Sequence, residues 1–312
     1  MNKQPLFIKP VFKERIWGGT ALETGFGYDI PSNKTGECWA ISAHPNGMGI
    51  ISNGAYEGQT LKALWDHHRE LFGHVEGDQF PLLTKILDAN DDLSVQVHPD
   101  DQYAFVNEKG ELGKTECWYI IDCQKEAEMI LGHHAMSKAQ VKEMIEAGAW
   151  STFLRRIKIK PGDFFYVPSG TVHALCRGTL VLETQQSSDT TYRLYDYDRT
   201  DDQGQKRDLH LEKSIDVITA PHQDPNLTIH VSEKEGAKIT TYVQSEFFSV
   251  YKYEIKTRAT FTKEQPFLLV SVLEGKGTLD GYSLAKGNHF ILPADYGDFT
   301  IEGELKLIVA HS

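Results

Sequence analysis

Gly162-Asp163-Phe164-Phe165-Tyr166-Val167-Pro168-Ser169-Gly170-Thr171-Val172-His173 is the stretch on which the fold turns. Gly162 marks a tight turn, and Phe164 to Val167 is a short apolar run suited to a buried strand. Pro168 cannot donate to a sheet ladder and ends that strand. Upstream, Val95-Gln96-Val97-His98-Pro99-Asp100-Asp101 alternates apolar and polar residues, as a half-buried strand does. Side chains two apart on a strand share a face, so Ser94, Gln96 and His98 point the same way. A glutamine oxygen and an imidazole nitrogen aimed at one spot can hold a metal. Lys114-Thr115-Glu116-Cys117-Trp118 and the quoted stretch ending in His173 are the two segments able to complete such a site.

The chain has 312 residues, enough for one large or two ordinary domains. Apolar residues make up 40% and charged residues 24%, the balance of a soluble globular protein. No run approaches the roughly 18 apolar residues of a membrane span. Met1-Asn2-Lys3-Gln4-Pro5 lacks the apolar core of a signal peptide, which predicts a cytoplasmic protein. The formal net charge of −12, without a block of Lys and Arg, argues against nucleic-acid binding through a basic footprint. An anionic small molecule binds such a chain only where positive charge is concentrated locally. Cys38, Cys117, Cys123 and Cys176 form no Cys-x-x-Cys pair. They read as free thiols, mostly buried, and their spacing excludes a zinc finger.

Along the chain, Thr60 to Phe72 reads as a helix with Thr60 as N-cap and Gly73 as stop. Pro81–Leu87 and Leu93–His98 read as strands split by the turn-rich Asp88–Asp92. Glu116–Ile121 is another strand, Ser137–Ala147 a helix capped by Ser137, and Arg155–Leu182 strand-rich. Tyr192–Gly204 reads as a loop and Leu211–Ile218 as a short helix. Pro221-His222-Gln223-Asp224-Pro225 is the linker, giving a division into residues 1–220 and 226–312. After it come strands at Phe247–Ile255, Phe267–Glu274, His289–Leu292 and Leu305–Ala310, the spacing of a β-sandwich or jelly roll. Gly162, five residues and Pro168 recur as Gly287, five residues and Pro293, either a weak internal repeat or chance. Asp295 and Asp298 stand where the first copy has Gly170 and His173, which points to a second roll without a metal.

The pattern Gly-x5-Pro-x-Gly-x2-His at Gly162, Pro168, Gly170 and His173 resembles the second metal motif of cupins, small jelly rolls with a metal inside. The resemblance implies a mainly β fold with a few helices: two cupin-like jelly-roll sandwiches, the metal site in the N-terminal one. Gln96 and His98 then lie on one inner strand, Glu116 on its neighbour, and His173 begins a strand facing inward. Two histidines and a carboxylate fit zinc with an open position, and equally non-haem iron. With Zn²⁺ and a neutral Gln96, the site keeps a formal charge of about +1, which favours an anionic ligand or a developing alkoxide. His67, His68, His133, His134 and His311 lack such a setting.

Ile16-Trp17-Gly18-Gly19, Gly36-Glu37-Cys38-Trp39, Leu83 to Leu87, Ser94 to Asp101, Lys114-Thr115-Glu116 and Gln185 to Arg199 occur in this order. By this ordered set the chain is similar to the type I mannose-6-phosphate isomerases of the short bacterial form, over most of residues 6–210. The resemblance implies a zinc-dependent aldose–ketose isomerase interconverting mannose 6-phosphate and fructose 6-phosphate through a cis-enediol, with one Zn²⁺ per chain. Its metal ligands map onto Gln96, His98, Glu116 and His173, its essential arginine onto Arg193, and its lysines near the pocket onto Lys85 and Lys114. Thr115 stands where longer members carry proline, and their larger helical insertion is absent here, which bears on the pocket wall and leaves the ligands intact.

The chemistry gives each residue a task. A developing enediolate needs cationic stabilisation. Arg193 either supplies it or holds the phosphate. Nearby cations lower the pKa of Lys114 and make it a candidate base, the alternative being phosphate contact. Ser94, Lys85 and Arg199 are further phosphate contacts, with Arg199 inclined instead to pair with Asp196 or Asp198. Trp17 and Trp39 stack on the sugar or fill the core. Asp189 and Glu183 orient or exchange protons, and Glu37 orients a hydroxyl or a basic side chain. The partner implied is a small phosphosugar, with no nucleic acid and no membrane, bound by a monomer or weak homo-oligomer. Another cupin enzyme, such as an iron dioxygenase, and a non-catalytic sugar-phosphate sensor are the competing readings.

Overall fold

Sheets buried on both faces account for the layering of this molecule. The computed structural model describes residues 4–201 and 203–312. Residues 1–3, part of the segment read as lacking a targeting signal, and Asp202, within the segment read as a loop, lie outside the described residues. In the N-terminal part the strands are β1 (Leu6–Lys9), β2 (Val11–Gly19), β3 (Thr35–Ile41), β4 (Ile50–Ile51), β5 (Leu82–Ala89), β6 (Val95–Val97), β7 (Glu116–Cys123), β8 (Glu128–His133), β9 (Leu154–Lys158), β10 (Phe164–Val167), β11 (His173–Leu175), β12 (Thr179–Gln186) and β13 (Tyr192–Tyr195). The C-terminal part adds β14 (His230–Lys234), β15 (Ala237–Gln244), β16 (Ser249–Ile255), β17 (Arg258–Phe261), β18 (Leu268–Leu279), β19 (Tyr282–Ala285), β20 (His289–Leu292) and β21 (Phe299–His311). The α-helices are α1 (Ala21–Phe26), α2 (Leu61–His67), α3 (Asp101–Asn107), α4 (Lys138–Glu146), α5 (Trp150–Phe153) and α6 (Leu211–Val217). The mainly β fold with a few helices is therefore what the chain adopts.

A six-stranded sheet (β10-β7-β12-β5-β3-β2) faces a five-stranded one (β13-β6-β11-β8-β9). The period-two alternation sorts their side chains. On β7, Trp118 and Ile120 enter the core between the two sheets, whereas Cys117 and Tyr119 enter a second core on the opposite face. On β6, Val95 and Val97 point away from the inter-sheet core, into a layer capped by Val141 and Ile145 of α4 and by Ile218. Gln96 is thereby left on the inner face. The polar residues of otherwise apolar buried strands are thus collected inside the sandwich.

The second core joins the outer face of the six-stranded sheet to a ten-stranded sheet built from β14–β21 together with β1 and β4. Leu6 of β1 pairs with Ile291 of β20, so the first strand of the chain belongs to the sheet of its last strands. On β18, Leu269 and Leu273 face this shared core, while Leu268, Val270 and Val272 face a further core within the C-terminal part. Trp65, Phe72, Phe80 and Phe267 pack at ring-centroid distances of 5.2 to 5.7 Å and tie the two parts together.

Several boundaries differ from those read off the sequence. The helix opening at Thr60, whose Oγ1 accepts from Ala63 N at 3.1 Å, ends at His67 rather than Phe72. Arg69–Phe72 is a 3₁₀ turn closed by Gly73 at φ 65°, and Arg69 lies 3.8 Å over the Trp65 ring. Strand β5 runs on through Asp88 and Ala89, read as turn residues, because both pair with β12. Tyr192–Tyr195 is a strand, not the start of a loop: it pairs with β6, and Tyr192 and Leu194 supply a two-residue apolar alternation too short to be seen beforehand. The weak repeat has structural content. Gly162 and Gly287 adopt φ 92° and 87°, each turns the chain into a four-residue strand, half-buried in the first copy and buried in the second, and each strand ends before its proline. All four cysteines are free thiols. Among the described residues no helix is long and apolar enough to cross a membrane.

His289 is fully enclosed at the junction of the two parts. Its Nδ1 lies 2.9 Å from Ser271 Oγ and its Nε2 2.7 Å from Tyr28 Oη, whose hydroxyl donates to Gly287 O at 3.0 Å. Burial pushes its pKa from 6.5 down to about 3. An unfolded histidine binds a proton below about pH 6.5 that the buried one refuses, so this side chain makes stability fall as pH drops from 6.5 toward 3. His289→Gln is expected to flatten the decline in urea-unfolding free energy between pH 7 and pH 4.5. An unchanged slope would remove His289 from the account.

Candidate metal centre and active-site cavity

His173 opens β11 directly opposite Gln96 on β6, and Arg193 on β13 pairs with Gln96 from the other side. Glu116 opens β7 in the facing sheet, across the sandwich from β6 rather than on the neighbouring strand expected from the sequence, and His98 follows β6 by one residue. The fold thus brings Gln96, His98, Glu116 and His173 together as the sequence pattern requires. One ligand atom from each of His98, Glu116 and His173 lies within 4.8 Å of the others, and all three residues are buried. Glu116 Oε1 is 3.3 Å from His173 Nε2, and Oε2 is 3.5 Å from His98 Nε2.

The far nitrogens of both rings are occupied. His98 Nδ1 lies 2.9 Å from the Thr190 carbonyl and His173 Nδ1 2.8 Å from that of Thr171. A ring that donates from Nδ1 presents an Nε2 lone pair inward. Burial pushes the His173 pKa down to about 4 and that of His98 well below its ordinary value, the latter helped by the Lys114 charge. Both rings are therefore neutral at pH 7. Glu116 is wholly buried, and neither of its oxygens accepts a well-formed hydrogen bond, although the Lys114 ammonium stands 2.7 Å from Oε2. Lone pairs and carboxylate oxygens converging on one point are unfavourable without positive charge between them. These residues can hold a metal ion. The Gln96 amide nitrogen is 3.3 Å from His173 Nε2, and a half-turn of the amide presents its oxygen instead.

A cavity of about 490 Å³ lies between the two sheets and reaches the neighbours of this cluster, Gln96 and Lys114. Gln96, Trp17, Lys85, Ser94, Lys114, Glu183, Asp189 and Arg193 line it, so these candidates face one space, whereas Arg199 and Trp39 do not line it. Lys85, Lys114, Arg193, Arg15 and Arg207 stand there beside the carboxylates Glu14, Glu37, Glu183 and Asp189, a slight positive excess in a chain of net charge −12. Glu183 Oε1 lies 3.6 Å from Lys85 Nζ and 4.0 Å from Lys114 Nζ, while its Oε2 accepts from Trp118 Nε1 at 3.0 Å. Asp189 accepts from Asn46 Nδ2 at 2.9 Å. Burial opposes its ionisation, but Lys85, Asn46 and Lys114 outweigh burial and hold its pKa below the usual carboxylate value. Arg193 donates to Ser94 Oγ at 3.2 Å and to the Asp208 carbonyl at 2.8 Å.

The chain aligns end to end with mannose-6-phosphate isomerase ManA of Bacillus subtilis (strain 168), 58% identical over 315 residues that cover 100% of both proteins. The mannose-6-phosphate isomerase of Streptococcus mutans is 53% identical over 313 residues, covering 99% of this chain and 98% of that one. The chain belongs to the type I mannose-6-phosphate isomerases. The family model for the phosphomannose isomerase type I catalytic domain matches residues 6–122, and that for the mannose-6-phosphate isomerase cupin domain matches residues 238–312. The crystal structure of the mannose 6-phosphate isomerase from Bacillus subtilis superimposes with a TM-score of 0.97, at 58% identity and over 99% of each chain.

Some details of this isomerase site differ from the sequence reading. Lys114 was expected to have its pKa lowered by neighbouring cations. Burial does push it down, but Glu116 and Glu183 beside it outweigh burial and raise it, so Lys114 is an ammonium in this arrangement. Arg199 turns away from the cavity to Asp196 at 2.7 Å, as its surrounding aspartates suggested. Glu37 holds a basic side chain, Arg15, through contacts of 2.8 and 3.1 Å, and also accepts from Trp39 Nε1 at 2.6 Å. Trp39 is core, with Lys85 Nζ 4.8 Å from its ring, whereas Trp17 lines the cavity. Arg15 and Arg207 are lining residues that the sequence reading missed. Arg15 adjoins the Ile16–Gly19 motif, a signal available beforehand; Arg207 lies in a loop and had none.

Because Glu183 is the shared counter-charge of two buried lysines, Glu183→Gln leaves Lys85 without its carboxylate. A loss of about 3 kcal/mol in unfolding free energy is expected from urea titration at pH 7. A loss below about 0.5 kcal/mol, the scale of an exposed pair, would contradict the assigned coupling.

Proposed function

We propose that this enzyme interconverts mannose 6-phosphate and fructose 6-phosphate in the cytoplasm through a cis-enediol, with one zinc ion per chain held by Gln96, His98, Glu116 and His173. In this reading it acts as a monomer or weak homo-oligomer. Residues 1–220 carry the catalysis, and residues 226–312 form a cupin-like unit without a metal site. The observation that carries the proposal is the buried His98–Glu116–His173 cluster, whose neighbours Gln96 and Lys114 line a cavity that also holds Lys85 and Arg193.

Two neutral imidazoles, one carboxylate and an amide oxygen form a donor set suited to zinc. When bound, the ion supplies Lewis acidity toward a substrate oxygen. The protein's own groups do the rest. Removal of a proton from the carbon beside a carbonyl places negative charge on oxygen, and Arg193, charged at every working pH and tied to Ser94, stabilises it. Lys114, an ammonium directed at Glu116 and toward Glu183, serves as the acid that returns a proton to the enediolate. Asp189, kept ionised, and Lys85 bind and orient hydroxyl groups, and Trp17 offers an apolar face to the sugar.

The test is a coupled isomerase assay on mannose 6-phosphate deuterated at C2, before chelation, after it, and after zinc repletion. Activity is expected to vanish with the metal and return with zinc, and deuterium to wash out into solvent. Full activity after verified metal removal would sink the metal assignment, and complete retention of label in product would sink the solvent-exchanging enediol. His173→Ala is expected to lose zinc and turnover together, as measured by elemental analysis and initial rates. Arg193→Ala is expected to keep its zinc while kcat/KM falls by about 10²–10³, the scale of a lost oxyanion contact. Near-normal kcat/KM in that variant would reassign the stabilising charge.

A further inference from the structure

The segment Lys206–His210 lies along the outer edge of β13. His210 N donates to Arg193 O at 2.8 Å, Arg193 N donates to His210 Nδ1 at 3.1 Å, and Arg193 Nη1 reaches the Asp208 carbonyl. The order away from the metal cluster is therefore β6 with Gln96, β13 with Arg193, then the segment with Arg207. Two strand spacings, about 10 Å, separate the first backbone from the last. C1 and C2 of an open-chain hexose lie at one end of the molecule and a phosphate on O6 at the other. A substrate whose reacting carbons sit at the metal cluster brings its phosphate toward the β13 edge.

Arg207 lines the cavity at that edge. Its orientation comes from Asp196, which is 5% exposed. Asp196 Oδ2 accepts from Arg207 Nε at 2.8 Å and Oδ1 from Arg207 Nη2 at 2.6 Å, a side-on two-point grip. The same Oδ1 accepts from Arg199 Nη2 at 2.7 Å. Arg199 is drawn out of reach by the carbonyl of Asp92 and the carboxylate of Asp91. Arg207 differs. Among the described residues its side-chain hydrogen bonds run only from Nε and Nη2, which leaves Nη1 and the end-on edge of the guanidinium for a ligand. Arg207 shares Asp196 with Arg199, which also has Asp91 within 3.8 Å, and Arg193 has no carboxylate within ion-pair distance among the described residues. The surplus positive charge suits a dianion, and planar forks suit phosphate oxygens.

We infer that Arg207 is a substrate-phosphate contact and that Asp196 is its positioning residue. The inference rests on the proposed placement of the sugar at the metal cluster. Arg207→Ala is expected to raise KM for mannose 6-phosphate about tenfold while kcat falls less than about threefold, because a contact to a non-reacting group is made equally in ground and transition states. Competitive inhibition by inorganic phosphate weakens in parallel, and Arg207→Lys recovers part of both. Asp196→Asn is expected to raise KM as well, but to add no more than about twofold in an Arg207→Ala background, since it acts through that side chain.

An unchanged KM and phosphate inhibition constant in Arg207→Ala would overturn the contact. A full Asp196→Asn effect in the Arg207→Ala background would overturn the positioning role. Should Asp196→Asn not fold, Arg207→Ala and Arg207→Lys still decide the contact, and Asp196→Glu replaces it in the cycle. Failure of the metal-dependent mechanism is separable, because inorganic phosphate binding to chelated wild-type and Arg207→Ala protein, followed by calorimetry, reads this contact without turnover. Equal affinity of the two chelated proteins would count against the inference.

Discussion

Glu116 has no exposed surface, and its two oxygens face the Nε2 atoms of two buried neutral histidines. A carboxylate costs several kcal/mol to bring into such a place and stays there only if positive charge meets it. Lys114 meets one oxygen at 2.7 Å. Its own charge is shared with Glu183, which in turn answers Lys85. Much of the cavity follows from this alternation of buried charges. Each member is held by a neighbour of opposite sign, and the chain of contacts runs from the His98–Glu116–His173 cluster to Lys85 on the cavity wall.

The sandwich makes that alternation affordable. The strands around the site are buried on both faces, so their backbones are fixed by ladders on either side and their side chains have one direction each. Apolar residues of β6 go outward to the helices and those of β7 go to both cores, while Gln96 and Glu116 remain inside. The helices α4 and α6 do not reach into the cavity. They cover Val95 and Val97 and so keep β6 flat against its neighbours, a role in positioning rather than in chemistry. The shared core with the C-terminal sheet does the same for Cys117 and Tyr119 on β7.

The residues legible in the sequence were those whose role is expressed by local period. Ser94, Gln96 and His98 declare a common face two residues at a time, and Gly162 to His173 declares a turn, a strand and a stop. The ordered family motifs extended this to Lys85, Asp189 and Arg193. Residues whose role depends on distant partners were harder to see. The direction of the Lys114 pKa could not be read from its own neighbours in sequence, since Glu183 arrives from another strand. Arg207 could not be separated from Arg199, because both sit near aspartates in one loop and only folding shows which of them turns to the cavity. The β13 strand escaped because four residues carry too little alternation without β6 beside them.

What the sequence determined by itself was the inventory and the local geometry: a mainly β chain, the four inward-pointing candidate ligands, the glycine corners, and the family to which the motifs belong. These follow from steric and hydrogen-bonding rules that act over a few residues. Only the tertiary structure decided which strands face one another, that the first strand joins the last sheet, and how the buried charges are matched. Those outcomes depend on distance through space, and electrostatic energy in a buried site is set by which opposite charge arrives within about 4 Å, whatever its separation along the chain.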